Sequence, residues 1–240
     1  MCVFRLLFFE VLNVQIELIE KKPWQTLIIL DSCRYDVLVE LNPLPYMRFA
    51  VLKTEPHNAK TFYKCLPKLK DVTLVTANPA PFLVNADEKF KEVILTRSIY
   101  PHDNIREALN VDGRVMLHLM PPHVPPLFEF GYQLWQRFLS EKNYEANEHA
   151  KSIKRNFGPD GADGQFFKWL EWKGISANAI YSLNLLEGLK AIGCYFEEFK
   201  RPLVITTDHG FLLGEGNYWG HSENINHPAL RIVPWIWIEK

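Results

Sequence analysis

Two carboxylates and several imidazoles stand in this sequence where strand-like runs end. The densest stretch is TTDHGFLLGEGNYWGHSENINHP, Thr206 to Pro228, which holds Asp208, His209, four glycines and two further histidines, His221 and His227. Just before it, PLVI has the β-branched, apolar pattern of a buried strand. Asp208 and His209 therefore fall at a strand end, where open α/β sheets bind their ligands. TLIIL, ahead of Asp31, makes a second such end. If the two strands are parallel, Asp31 and Asp208 share one sheet edge although 177 positions separate them (208 − 31). Two carboxylates and an imidazole offer hard oxygen and borderline nitrogen donors, a set suited to a divalent metal ion. Asp31 alone would serve equally well as the cap of a helix beginning near Arg34. The pair of ends, one with an adjacent histidine, favours the metal.

A third piece is RVMLHLMPPHVPPLF. It puts His118 within a strand-like run and His123 just beyond it, among prolines that stiffen the loop. His118 reads as a satisfied core histidine, and His123 as the site candidate. The planar guanidinium of Arg34 suits an anionic substrate oxygen, or an ion pair with Asp36 or Glu40 on its own helix.

These residues need a scaffold, and the pattern supplies one. Strand-like runs are TLIIL, DVTLVTA, EVILT, RVMLHLM, PLVITT and RIVPWIWI. Helical patterns lie between them at 34–41, 61–69, 103–110, 128–139 and about 177–199. This alternation implies an α/β fold, a three-layer α/β/α sandwich on a mostly parallel sheet. In the last helix Ile180, Leu183, Leu186, Leu189, Ile192 and Phe196 form a stripe at helical spacing, a core-facing pattern. Residues 158–174, within an excursion at about 141–175, begin Gly-rich and polar and end aromatic, reading as a crossing over the sheet.

Composition narrows the function classes. The chain has 240 residues and a formal net charge of −1, so one large domain spanning 1–240 is expected and no basic footprint points to nucleic acid. No run approaches the ~20 apolar residues of a transmembrane segment. MCVFRLLFFEVLNVQIELIE is broken by Glu10 and lacks a small-residue cleavage site, so it reads as an amphipathic helix packed on the core, with contact to a membrane surface or partner as the alternative. The four cysteines, Cys2, Cys33, Cys65 and Cys194, show no CxxC or zinc-type spacing, which fits a reducing, cytoplasmic setting.

LIILDSCRYDVL, VTANPAPF, LHLMPPHVP, LVITTDHGFLLGEGNYWGHSE and LRIVPWIWI occur in the order seen in sulfatase-like hydrolases of the alkaline phosphatase superfamily. The chain resembles that family over roughly Thr26–Ile238, and its compact archaeal-type members in particular. The resemblance implies an alkaline phosphatase-like fold and a divalent ion (Mn, Zn, Mg or Ca) on Asp31, Asp208 and His209. It also places His123 and His221 beside the substrate, or beside a second metal. The implied substrate is a small anionic phosphate or sulfate ester.

The family attacks with a Thr, a Ser or a modified Cys between its first two motifs, and here the sequence departs from it. The usual hydroxyl position falls near Ala59, flanked by Thr54 and Thr61. Thr61 is the preferred nucleophile, at the start of a helix whose N–H groups would face an anion. CLPKL at Cys65 resembles the formylglycine motif but has Leu69 in place of its Arg; Cys65, on the apolar side with Phe62 and Leu69, reads as a buried structural thiol. The reading is thus a metal-dependent hydrolase or transferase of phosphate or sulfate esters. The alternative is a non-catalytic, metal- or anion-binding relative that has lost its nucleophile.

Overall fold

Runs of β-branched and leucine residues with no polar alternation belong in a sheet covered on both faces, and this chain builds its centre that way. In the computed structural model, which describes residues 14–41, 49–142 and 161–239, β1 (Thr26–Leu30) and β6 (Leu203–Thr207) are buried at every position. β5 (Arg114–Leu119), β3 (Leu69–Thr76) and β4 (Phe90–Leu95) continue the sheet on the other side of β1. β9 (Ile232–Ile238) and β2 (Phe49–Lys53) complete seven strands in the order β2-β9-β6-β1-β5-β3-β4. β9 is antiparallel to both of its neighbours, and the other central pairs are parallel. The six expected strands are all present; β2 was not anticipated.

Successive side chains of a strand face opposite ways, and the two cores follow that rule. Leu27 and Ile29 pack with Trp24, Phe62, Tyr63 and Met116 on one face. Ile28 and Leu30 pack with Leu117, Leu119, Ile205 and the larger helices on the other. The first face carries α1 (Val14–Lys21), α3 (Ala59–Cys65) and α4 (Ala80–Leu83). The second carries α5 (Pro101–Leu109), α6 (Glu129–Glu141), α7 (Gly161–Trp172) and α8 (Ala177–Cys194). Short helices α2 (Tyr35–Leu41) and α9 (Pro228–Arg231) follow β1 and precede β9. The architecture is the expected α/β/α sandwich, alkaline phosphatase-like. At roughly 1.5–3 kcal/mol for each fully buried aliphatic side chain, the two cores fix the central strands and hence the residues at their ends.

Three expectations need correction. The crossing at 158–174 contains a regular helix, α7, because Phe166, Phe167, Trp169 and Leu170 form a buried face. The long helix keeps half of the expected stripe, with Ile180, Leu189 and Ile192 buried, and extends it to Tyr181, Asn184, Leu185 and Gly188, while Leu183 is 44% exposed and Leu186 and Phe196 are only partly buried. A Cβ at Gly188 would come within 3.1 Å of Pro121, so the helix rests on the loop after β5 along that line. Cys65 is exposed where α3 ends, although Phe62 is fully buried. Of the expected N-terminal helix, α1 is seen from Val14 onward, and residues 1–13 lie outside the described residues.

Candidate functional site

β1 and β6 run in register, with Leu30 beside Thr207. The next residues, Asp31 and Asp208, therefore leave the sheet together. Ser32 takes a left-handed turn (φ 63°), and its N–H donates to Asp208 Oδ1 at 2.9 Å while its hydroxyl donates to Asp31 Oδ1 at 3.0 Å. His209 N–H also donates to Asp208 Oδ1, at 2.9 Å. Asn78, beyond β3, donates to Asp31 Oδ2 at 2.9 Å. Gly210 is required beside this pair: a Cβ there would stand 1.7 Å from the Ala229 carbonyl oxygen.

His118 is not the satisfied core histidine the sequence suggested. It lies on β5 beside Ile29, fully buried, with Nε2 3.4 Å from Asp31 Oδ2 and 4.0 Å from Asp208 Oδ2. Its other nitrogen, Nδ1, shares a 2.6 Å hydrogen bond with the Tyr63 hydroxyl. Asp31, His118 and Asp208 form a group whose ligand atoms all lie within 4.8 Å of one another. His209 adjoins it: Nε2 is 3.3 Å from Asp208 Oδ2, and Nδ1 lies 2.7 Å from the Gly210 carbonyl oxygen.

A second group of the same compactness is His123, Asp163 and His221. Asp163 Oδ2 lies 2.9 Å from His221 Nε2 and 3.4 Å from His123 Nε2. His123 Nδ1 is tied at 2.9 Å to the Val124 carbonyl oxygen, which leaves Nε2 facing the carboxylate. Asn184 on α8 holds the proline loop by donating to the Pro122 and His123 carbonyls and accepting from Leu127 N–H. Asp163 arrives on α7, seated by Phe167 against Tyr181 and Phe211. The two groups adjoin through His209 and His221, whose ring centroids are 4.7 Å apart. The Asp31 group is buried; His123 and His221 keep 25% and 21% of their side chains exposed and form the rim.

Three atoms test whether a cation fits. His118 Nε2, Asp208 Oδ2 and Asp163 Oδ2 are buried without a hydrogen bond of acceptable geometry, in a site where neighbouring polar atoms are well paired. Unpaired buried polar atoms are costly, by ~1–3 kcal/mol each. Here His118 Nε2 and Asp208 Oδ2 lie 4.0 Å apart beside Asp31, and Asp163 Oδ2 lies against His221 and His123; oxygen with imidazole nitrogen is a donor set for a divalent ion. The residues fit the metal that the sequence implied.

The electrostatics are those of an anionic well lined by imidazoles. Burial pushes the Asp31 carboxyl up, but His123, His118 and His209 together hold it far below the usual carboxylate range. Asp163 is likewise raised by burial and lowered further by His221 and His123. His123, opposed by its own burial, is pushed up to about 10 by Asp31 and Asp163. His209 is raised, against burial, chiefly by Asp208 and then Asp31.

The remaining sequence-predicted residues sit differently. Arg34 is already engaged, with Nε 2.9 Å from Asp36 Oδ1, Nη2 2.5 Å from Asp36 Oδ2 and Nη1 on Glu215. The pairing with Asp36 that the sequence allowed is present, and Glu215 ties the Arg to the loop leading to His221. Thr61 belongs to a capping box: its hydroxyl accepts from the His57 and Asn58 N–H groups and lies 2.9 Å from the Asn58 carbonyl oxygen. The Thr54 hydroxyl donates to Gln15 Oε1 at 2.7 Å. Ser32 brings a hydroxyl among the ligands, 3.0 Å from Asp31 Oδ1 and 3.5 Å from His209 Nε2. Cys33 is no competing nucleophile, because burial first, then Asp36 and Asp208, push its thiol up.

No protein-family model matches the sequence, and no curated protein matches it. Solved structures do share the fold. The C-terminal periplasmic domain of the phosphoethanolamine transferase EptC from Campylobacter jejuni superposes with a TM-score of 0.53 at 12% identity, over 88% of this chain and 77% of that one. The soluble domain of lipooligosaccharide phosphoethanolamine transferase A from Neisseria meningitidis gives a TM-score of 0.50 at 12% identity, over 90% and 76%. At such identity the likeness speaks for the fold.

Proposed function

We propose that this chain is a metal-dependent hydrolase or transferase of phosphate esters, working at the C-terminal edge of its sheet. The observation that carries the reading is the pair of adjoining ligand groups, Asp31/His118/Asp208 with His209, and His123/Asp163/His221. Divalent ions bound there would neutralise the non-bridging oxygens of an ester and lower the pKa of the attacking group. The chain's own residues do the rest. Asp31, Asp208, His209 and Asp163 supply the anionic and imidazole donors; Ser32 presents a hydroxyl next to them. His123 and His221 form the open rim: with a second ion bound they would be its imidazole donors, and without one they would be placed to pass a proton to a leaving group, a role worth on the order of a hundredfold in rate. Arg34 holds Glu215 and so acts as a positioning residue for the His221 loop. The fold neighbours named phosphoethanolamine transferases support a phosphate ester over a sulfate ester.

A second reading has its own observation. The threonines of the loop where the family keeps its nucleophile are both committed, Thr61 to a helix cap and Thr54 to Gln15, which favours a metal- or anion-binding relative without turnover. Purified protein assayed with aryl phosphate, phosphodiester and sulfate esters under Mn²⁺, Zn²⁺, Mg²⁺ and Ca²⁺ decides between them. Turnover of a phosphate ester that requires metal and falls with Asp208→Ala supports the enzyme. Metal binding with no turnover of any ester supports the second reading.

A further inference from the structure

We propose that His118 is a direct ligand, through Nε2, of the ion held by Asp31 and Asp208, and that the Tyr63 hydroxyl fixes the tautomer this requires. The inference rests on the metal-dependent reading above and adds to it the donor set and the class of cation. His118 stands on β5, and Asp31 and Asp208 directly follow β1 and β6, so the geometry of the group is set by the sheet. Around these side chains the chain has satisfied nearly every other polar atom: Asp208 Oδ1 accepts two N–H groups, and the two Asp31 oxygens accept from Ser32 and Asn78. Two atoms are left over, His118 Nε2 and Asp208 Oδ2, both buried and without a hydrogen bond.

An ordinary His–Asp ion pair does not explain them. At 3.4 and 4.0 Å His118 Nε2 is beyond the usual ~2.7–3.2 Å of an N–H···O bond. Two donors each ~2.0–2.1 Å from a tetrahedral ion stand about 3.3 Å apart, close to the His118–Asp31 separation. Tyr63 completes the argument from the other side of the ring. Its phenol is fully buried, and its hydroxyl reaches the ring at Nδ1, 2.6 Å away. With Nε2 on the ion the ring proton sits on Nδ1, where the phenol oxygen accepts it, and the Nε2 lone pair faces the carboxylates. An outer partner of this kind is what a metal-bound imidazole ordinarily has, and its loss typically weakens metal affinity 10- to 100-fold. A buried nitrogen donor beside two carboxylates selects a borderline cation such as Zn²⁺ over Mg²⁺ or Ca²⁺.

The test counts metal and does not depend on turnover. The 240-residue chain, stripped by chelator, is dialysed against Zn²⁺ or Mg²⁺, and bound metal is measured by mass spectrometry, with Co²⁺ spectra reporting nitrogen ligation. Wild type is expected to prefer Zn²⁺, His118→Ala to lose one equivalent and alter the Co²⁺ bands, and Tyr63→Phe to keep that equivalent at 10- to 100-fold lower affinity. Circular dichroism checks folding; if His118→Ala unfolds, Tyr63→Phe alone decides. Wild-type stoichiometry and affinity in a folded His118→Ala, or in Tyr63→Phe when that variant decides, overturns the proposal, as does a wild type that binds no Zn²⁺. Ester turnover that survives a negative result leaves the enzymatic reading standing. A positive result without turnover leaves this inference standing and removes the enzymatic one.

Discussion

Asp163→Ala probes the group that sequence reasoning could not assemble. Asp163 is 4% exposed, and its Oδ2 stands 2.9 Å from His221 Nε2 and 3.4 Å from His123 Nε2. Without it, two imidazoles with centroids 6.1 Å apart face one another and the only carboxylate of the group is gone. Removing one partner of a fully buried charged set costs about 3–5 kcal/mol. The two histidines are partly open to water, which screens the interaction, so about 2–3 kcal/mol is the appropriate range. At 1.4 kcal/mol per power of ten, that is a roughly 30- to 150-fold weaker second equivalent of metal. Competition against a chromophoric chelator reads both equivalents in one titration. The first, held by the Asp31 group, should weaken less than the second; some loss is expected because the groups adjoin through His209 and His221 and His123 is coupled to Asp31. Two equivalents of wild-type affinity in Asp163→Ala would show that the carboxylate is no ligand. Loss of both would show that the groups are not separable sites.

Glu215→Gln should leave metal stoichiometry intact but lower turnover, read as kcat on the best ester, because Arg34 then holds the His221 loop through a neutral partner. The same variant should flatten the acid limb of thermal stability. Burial raises Glu215, but Arg34 and nearby backbone N–H groups lower it further, so its contribution is present above the unfolded value near 4.5 and disappears as pH falls through the depressed folded value. Ser32→Gly keeps the left-handed backbone while deleting the hydroxyl among the ligands; a tenfold or larger drop in kcat with metal retained is expected, and unchanged kcat would dismiss Ser32 as an attacking group. Thr61→Ala should cost about 0.5–1.5 kcal/mol in urea denaturation, as the hydroxyl's hydrogen bond with the Asn58 N-cap is lost, with turnover preserved; abolished turnover in a folded, metal-loaded variant would restore Thr61 as the nucleophile. Gly210→Ala should fail to fold or lose several degrees of Tm, since its methyl would occupy the position of the Ala229 carbonyl oxygen.

The parts legible in the sequence were those carried by strand period and strand ends. TLIIL and LVITT announce buried parallel strands, and once these are in register the meeting of Asp31 and Asp208 follows from the sheet. His123 and His221 were legible as candidates through their prolines and glycines, and they do meet. His118 was misjudged because a histidine inside an apolar run looks the same whether its partner is a backbone carbonyl or a pair of carboxylates; only the neighbouring strand decides. Asp163 gave no signal of its own. It sits in GADGQFFKWLEW, where the early glycines suggested a loop, and the aromatic face that makes this a helix also aims the carboxylate. β2 was passed over because FAVLK is short and pairs only with β9 at the sheet's edge. Thr61 was legible as a helix start, and at N3 it closes a capping box on the Asn58 N-cap, a place more often held by Glu or Gln.

The division between strand-borne and loop-borne ligands bears on how the site would work. Asp31, His118 and Asp208 are fixed by three adjacent strands packed on both faces, and such elements open only with the whole domain. His123, Asp163 and His221 come from a proline loop, a helix start and the turn after β8 (Trp219–Gly220), each tied down by one or two side-chain contacts: Asn184 for the loop, Phe167 for the helix, Arg34–Glu215 for the turn. An ester entering from solvent meets this rim first. The rim can therefore adjust to the leaving group while the floor beneath holds its geometry, the arrangement expected when a rigid scaffold carries the charge and loops carry the choice of substrate. On that argument, substitutions at Asn184 or Glu215 should change which ester is preferred more than they change metal content, and those at Asp31, Asp208 or His118 should do the reverse.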